Sequence, residues 1–361
     1  MAKARVLALY LPQFHPIPEN DLWWGKGFTE WMNVGKAKKY FRNHYQPRVP
    51  ADLGYYDLRV PETRQAQADM ARQHGVEGFI YWHYWFGNGK QLIERPFAEV
   101  LGSGEPDFPF ALAWANESWK GFAHGLKNRN ILIEQEYPGD KDHIAHFYSI
   151  LPALKDKRYI TVDGRPIFMI YKPDQLPDPA SFIRLWTGLA RENGLKGIYF
   201  IGHSQHTRDP FTQQDYLDMG FDRIYYVQMS AFFEERSVVK RAWAKIFSTY
   251  LRRIPRKTRY RDFVKHPSQN IGKNPVFIPS LVPGWDHSPR SGPEGILMQG
   301  STPALFASLV RQVLGSVEQH PLDQRLVIIK SWNEWAEGNY MEPDLKWGRQ
   351  YLEALRNELN R

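Results

Sequence analysis

The sequence predicts an α/β protein: a single (β/α)8 TIM barrel with long loops at the carboxyl ends of its strands. Three observations predict it. Eight apolar runs recur along the 361 residues, at 6–14, 78–86, 110–118, 166–173, 197–204, 223–230, 276–285 and 326–334. Each is nearly continuous rather than alternating, as strands buried on both faces are. Helical patterns lie between them, and strand–helix alternation repeated eight times closes a barrel.

Taken in order, VLALYLPQF supplies the first strand. The start of the chain, MAKARVLALYLPQFHP, superficially resembles a signal peptide. Its apolar run is short, Pro12 and Gln13 interrupt it, and no small-residue cleavage site follows, which points to a strand in a cytoplasmic protein. Residues 16–56 form a long insertion full of Trp, Phe, Tyr and Gly. The helix at 61–74 has Pro61 in its first turn and Gly75 at its end. GFIYWHYWF is the second strand, and the GNGK after it lacks the earlier glycine of a phosphate loop, so it reads as a turn. FALAWANES is the third strand, followed by a helix at 141–155. PIFMIYKP is the fourth, with a helix at 179–193 that stops at Gly194.

GIYFIGHS is the fifth strand, with a helix at 212–219 that stops at Gly220. RIYYVQMS is the sixth, and a second insertion, basic and spanning 236–274, contains a helix at 237–251. VFIPSLVPGW and a helix at 302–317 come seventh. LVIIKSWNE is the eighth strand, and a last helix covers 345–359, with Glu342 assigned to its first turn. No Gly-rich phosphate fingerprint follows the first strand, which argues against a doubly wound open sheet. No repeat or linker divides the chain, so residues 1–361 are expected to form one domain.

Composition narrows the chemistry. With no cysteine, disulfides, thiolate metal sites and cysteine nucleophiles are excluded. No stretch approaches the roughly 20 apolar residues of a membrane span. The 13 Trp and 19 Tyr suit a site that stacks on flat apolar faces, such as those of sugars or nucleobases. The charge excess of +8 is concentrated at 236–265, with eleven Lys or Arg and one acid, Asp262. There Val239, Trp243, Ile246, Tyr250 and Ile254 recur at helical spacing. Such a basic amphipathic helix could lie peripherally on the inner membrane or meet a lipid-linked glycan, although an ordinary barrel helix explains the pattern too. Nucleic acid is not an expected partner, because the aromatic residues are dispersed away from the basic run.

Barrel enzymes keep their active sites at the carboxyl ends of the strands, and polar residues gather at those ends here. They are Gln13 and His15, then His83 and Tyr84, Asn116 and Glu117, Tyr171 and Lys172, and His203. Gln228 follows, then Trp285, Asp286 and His287, and finally Asn333, Glu334 and Glu337. Carboxylates beside indoles suggest glycosidic chemistry, in which one acid protonates the leaving oxygen and a second carboxylate works at the anomeric centre. Glu334 and Glu337, with Trp332 and Trp335 beside them, are the catalytic candidates. Residues three apart share a face only on a helical turn, so the chain must turn after strand eight, and Gly338 permits that. Glu117 and Glu30 are further candidate acids. The expected substrate-binding set adds Tyr10, Gln13, His15, Trp24, His83, Tyr84, Trp114, Asn116, Tyr171, Gln228, Trp285, Asp286, Trp332 and Asn333. The pairs His143/His146 and His203/His206 lack further converging ligands, and no HExxH motif occurs, so neither metal nor cofactor is expected.

The motifs LYLPQFHPIPENDLWWGKGFTEW, GFIYWHYWF, LAWANESW and KSWNEWAEG together resemble the WbsX-type polysaccharide-biosynthesis family, which is similar to glycoside hydrolase family 99, the endo-α-mannosidases. The resemblance runs from Leu9 to about Tyr351. It implies a (β/α)8 barrel and retaining cleavage or transfer in a mannose-type bacterial surface polysaccharide or its precursor. In that family two glutamates three apart act through the sugar's own 2-hydroxyl and a 1,2-anhydro intermediate. Carried over, Glu334 is the base on the 2-hydroxyl, and Glu337 is acid and then base. A glycosyltransferase of O-antigen biosynthesis and a non-catalytic glycan-binding barrel are the alternatives.

Overall fold

The computed structural model describes residues 3–121, 130–204, 209–234, 246 and 254–361. Eight strands build a closed parallel barrel: β1 (Arg5–Tyr10), β2 (Gly78–His83), β3 (Phe110–Trp114), β4 (Arg165–Ile170), β5 (Tyr199–Ser204), β6 (Arg223–Tyr226), β7 (Phe277–Leu281) and β8 (Leu326–Ile329). Each strand pairs with the next, β8 pairs with β1 from Arg5↔Leu326 to Ala8↔Ile329, and β3 joins β4 through Leu112↔Phe168. Every residue of β2, β3, β5, β6 and β8 is buried, as the unbroken apolar runs anticipate.

Helices surround the strands. The helices α1 (Pro18–Trp24) and α2 (Glu30–Gly35) belong to the first insertion. Around the barrel follow α3 (Pro61–Gln73), α4 (Arg95–Ser103), α5 (Asp140–Leu154), α6 (Pro179–Glu192) and α7 (Gln213–Asp218). After β6 come α8 (Gln228–Glu234), α9 (Tyr260–Val264), α10 (Ser288–Ser291), α11 (Pro303–Val317) and α12 (Gln350–Asn360). In α11, Phe306, Leu309, Val310, Val313, Leu314 and Val317 recur at three- and four-residue spacing and are all buried. That apolar stripe is the face a helix lays on a sheet. Pro303 opens the helix, and the Thr302 hydroxyl accepts from the Leu305 N–H.

The structure departs from the expected elements in several places, and two of the departures have clear local causes. The sixth strand ends at Tyr226, because the chain turns at Val227 into α8, and Gln228 leaves the sheet. The last helix starts at Gln350 rather than 345, because the Asp344 carboxylate holds the N–H groups of Lys346 and Trp347 in a turn. Glu342 is not in that helix: it is buried under α3. The helices α1, α2 and α4 were not expected. In the basic insertion, Arg256–Arg259 pairs with Ile296–Gln299, and these strands with Trp285–Asp286 extend the barrel mouth. The expected basic helix at 237–251 lies outside the described residues apart from Ile246. Among the described residues no helix is long and apolar enough to cross a membrane.

Candidate active site

A cavity of about 470 Å3 opens at the carboxyl ends of the barrel strands, with Glu334 and Glu337 in its wall. The turn that brings them there is built locally. Asn333–Glu334 pairs with Asn339–Tyr340 as a short hairpin, and Trp335–Glu337 forms one turn of 3-10 helix. Gly338 closes it in the left-handed region, at φ 58°. The Ser331 hydroxyl accepts from the N–H groups of Asn333 and Glu334. From behind, Trp335 stacks on Tyr340 at 3.8 Å, and its Nε1 donates to Glu342 at 2.6 Å. Glu342 also accepts from Gln67 Nε2 and the Tyr56 hydroxyl, and burial pushes its pKa up to about 7. A buried acceptor with three donors fixes where the turn sits.

Arg290, on α10, joins three carboxylates. Its Nη1 lies 2.5 Å from Glu337, and its Nη2 lies 3.2 Å from Glu334 and 3.0 Å from Glu30. Glu30 and Glu334 are buried, and the side chains of Arg290 and Glu337 keep only a small exposure, 7% and 13%. Burial alone would lower the pKa of this guanidinium, but the charges of Glu30, Glu337 and Glu334 hold it above its ordinary value. His287 Nε2 is 3.7 Å from Glu337, and burial pushes the imidazole down, toward its neutral form. Glu334 is pushed up to about 7, first by burial and then by the charge of Glu337, against the opposing pull of Arg290 and Lys330. It therefore exchanges a proton near neutral pH, where general acids and bases work best. Burial also raises Glu117, which lies 3.8 Å from the Lys172 ammonium.

The structure brings Gln13, Tyr84, Glu117, Tyr171 and Trp285 to this cavity with the glutamate pair, and Glu30 reaches it through Arg290. His203 and His287 from the strand ends line it as well, whereas the rest of the expected substrate-binding set does not. Tyr10 donates to Gln67 Oε1 beneath α3. His15 is buried, and burial pushes it down to about 4. Trp24 stacks on Phe28 at 4.7 Å. His83 lies 2.8 Å from His146 of α5, and Trp114 Nε1 donates to the Trp85 carbonyl with the ring against Phe182 of α6. Both therefore face the helices outside the barrel. The Asn116 amide clips both backbone groups of Lys172. Gln228 accepts from Ser280, bracing β7. Trp332 packs on Phe79 with no exposure, and Asn333 bonds both backbone groups of Leu11.

Asp286 contacts His44 and Gln46 and lines a separate cavity of about 240 Å3 behind the Gly338 turn. Its wall includes Tyr45, Arg48 and Trp347. Arg290, Lys330, Trp82, Trp119 and Lys120 line the main cavity without having been singled out. The motif LAWANESW contains Trp119 and was a usable signal; HSPRSGPEG around Arg290 contains none.

The barrel has counterparts among solved structures. A glycoside hydrolase-like protein superposes with a TM-score of 0.60 at 15% identity, covering 99% of this chain and 94% of that one. The GH99 endo-alpha-mannosidase from Bacteroides thetaiotaomicron superposes with a TM-score of 0.59 at 15% identity, covering 99% and 96%. At such identities the likeness is one of fold. The model of the family described as Glycosyltransferase WbsX matches residues 6–355, and the chain belongs to that family. "Uncharacterized protein WxcX" from Xanthomonas campestris pv. campestris strain B100 is 35% identical over 365 residues, 99% of this chain and 50% of the relative. The chain thus spans about half the length of the curated relatives it matches.

Proposed function

We propose that this barrel is a carbohydrate-active enzyme that cleaves or transfers a glycosidic bond with retention, using Glu334 and Glu337. The observation that carries the reading is the pair itself: a buried Glu334 and a half-buried Glu337 on one turn, bridged by one guanidinium, in a cavity walled by Trp82, Trp119 and Trp285. Indole faces suit the apolar faces of sugar rings. Glu334, titrating near neutral pH, takes the proton of the sugar's 2-hydroxyl, and that oxygen displaces the leaving group to give a 1,2-anhydro sugar. Glu337 gives its proton to the departing oxygen. It then takes one from the water or sugar hydroxyl that opens the anhydro ring, while Glu334 returns its proton to the 2-oxygen. The protons balance over the cycle. Because neither carboxylate attacks carbon, the usual separation rule for paired acids does not apply. The expected glycan is mannose-type, from a bacterial surface polysaccharide or its precursor, processed at the inner face of the membrane.

The test is turnover of the source cell's own polysaccharide and its lipid-linked precursor, followed by mass analysis of the products. Glu334→Gln and Glu337→Gln are each expected to lower turnover at least ~1000-fold without loss of folding. Wild-type turnover in either variant would reject the mechanism. Oligosaccharide binding with no turnover by the wild type would instead favour a glycan-binding barrel.

A further inference from the structure

Charge is distributed unevenly across the candidate active site. Glu30, Glu334 and Glu337 share Arg290. Lys330, the residue that follows β8, is also half-buried in the cavity wall. Lys120 is at the rim. Among the described residues neither ammonium has a hydrogen bond or an ion pair. Lys172 is only loosely engaged, 3.8 Å from Glu117 and 5.0 Å from the centre of the Tyr171 ring. His203 also lines the cavity. Burial, then the charges of Lys330 and Lys172, keep it neutral, so both ammonium groups act on the same spot.

An ammonium withdrawn into a cavity without a partner costs free energy, and such a group is retained where something bound there completes the pair. Glu334 is the nearest alternative explanation. Arg290 already touches it, however, and Lys330 is beyond the 4.0 Å reach of an ion pair. A neutral sugar would need hydrogen-bonding groups at this place but no fixed positive charge. Among the charged groups of glycans, the planar carboxylate of a uronic acid and the phosphate of a sugar ester both fit a lysine beside a neutral imidazole.

We propose that the part of the cavity lined by Lys330 and His203 binds an oxyanion on the substrate glycan, a sugar carboxylate or phosphate, adjacent to the bond handled by Glu334 and Glu337. This rests on the reading of the cavity as a glycan site, but its test reads binding alone and needs no turnover. Binding of glucuronate, glucose 6-phosphate and glucose would be measured by saturation-transfer NMR. The measurements would be made at low and high salt on the wild-type protein, Lys330→Gln and Lys330→Arg. At least one anionic probe is expected to bind ten times more tightly than glucose, with Lys330→Gln abolishing the difference and Lys330→Arg retaining most of it. Whichever anion is preferred identifies the source. Equal binding of all three probes, no binding of the anions, or a preference unchanged in Lys330→Gln would overturn the proposal. If Lys330 served only as a counter-charge to Glu334, Lys330→Gln would raise the Glu334 titration and leave probe selectivity flat. Failure here with intact loss of turnover in Glu334→Gln would leave the catalytic reading standing.

Discussion

Glu334 costs the fold stability only when it is ionised. In the unfolded chain its carboxyl titrates near its ordinary value of 4.5, and in the folded protein it is held near 7 by burial and by Glu337. Below about pH 4 the group is protonated in both states, and the shift changes nothing. Between those values the unfolded state loses its proton first, so folding is increasingly disfavoured as pH rises. Above about pH 7 the whole penalty is present. Glu334→Gln should therefore stabilise the protein at pH 8, by on the order of 1–3 kcal/mol, and the gain should vanish at pH 4. Urea unfolding at the two pH values checks this. Equal stability of both proteins at pH 8 would mean that Arg290 fully offsets the burial, and that Glu334 is an ordinary ion-paired carboxylate.

The decisive element is the turn at 333–340, whose geometry depends on Gly338. Its φ of 58° is one that other residues adopt at a cost, and a Cβ there would lie 2.9 Å from Arg48 Cζ and Asp286 Cβ. Gly338→Ala should lower stability by about 1–3 kcal/mol and turnover by at least about tenfold, since the displaced turn carries both glutamates. Thermal melts and single-turnover rates check it. Unchanged rates would mean that the pair tolerates movement, which a positioned acid–base couple does not. This turn was legible in advance, because side chains three apart can cooperate only if the chain bends there. Which way a strand residue points was not legible. In β2 and β3 every residue is buried, so no alternation marks the inner face, and the sequence does not show that His83 and Trp114 face α5 and α6 rather than the site. Arg290 was hidden for another reason: it reaches Glu30, 260 positions away, and Glu337, 47 away, and no short motif encodes contacts at that range.

At the scale of the whole molecule, the two ends of the barrel divide the work. One end carries the cavity, and the other holds the ring closed. Arg5 begins β1 at the closed end. Its guanidinium contacts Glu77 just before β2 at 2.6 Å, the Thr161 carbonyl beside β4 at 2.8 Å, and Asp323 just before β8 at 2.6 Å. One side chain thus ties together segments that enter three strands other than its own, including both neighbours of β1. The side chain is 16% exposed, so these bonds are partly shielded from water, whereas the carboxylates left behind could hydrate. Arg5→Met should therefore cost about 1–2 kcal/mol and lower the melting temperature by a few degrees. Because the barrel itself separates Arg5 from Glu334 and Glu337, kcat and KM should stay at wild-type values at temperatures where the variant is folded. Differential scanning calorimetry and steady-state kinetics on the same preparation check both halves. A loss of kcat in fully folded Arg5→Met would show that closure of the ring at one end sets the geometry at the other, and the division of labour between the two ends would not hold.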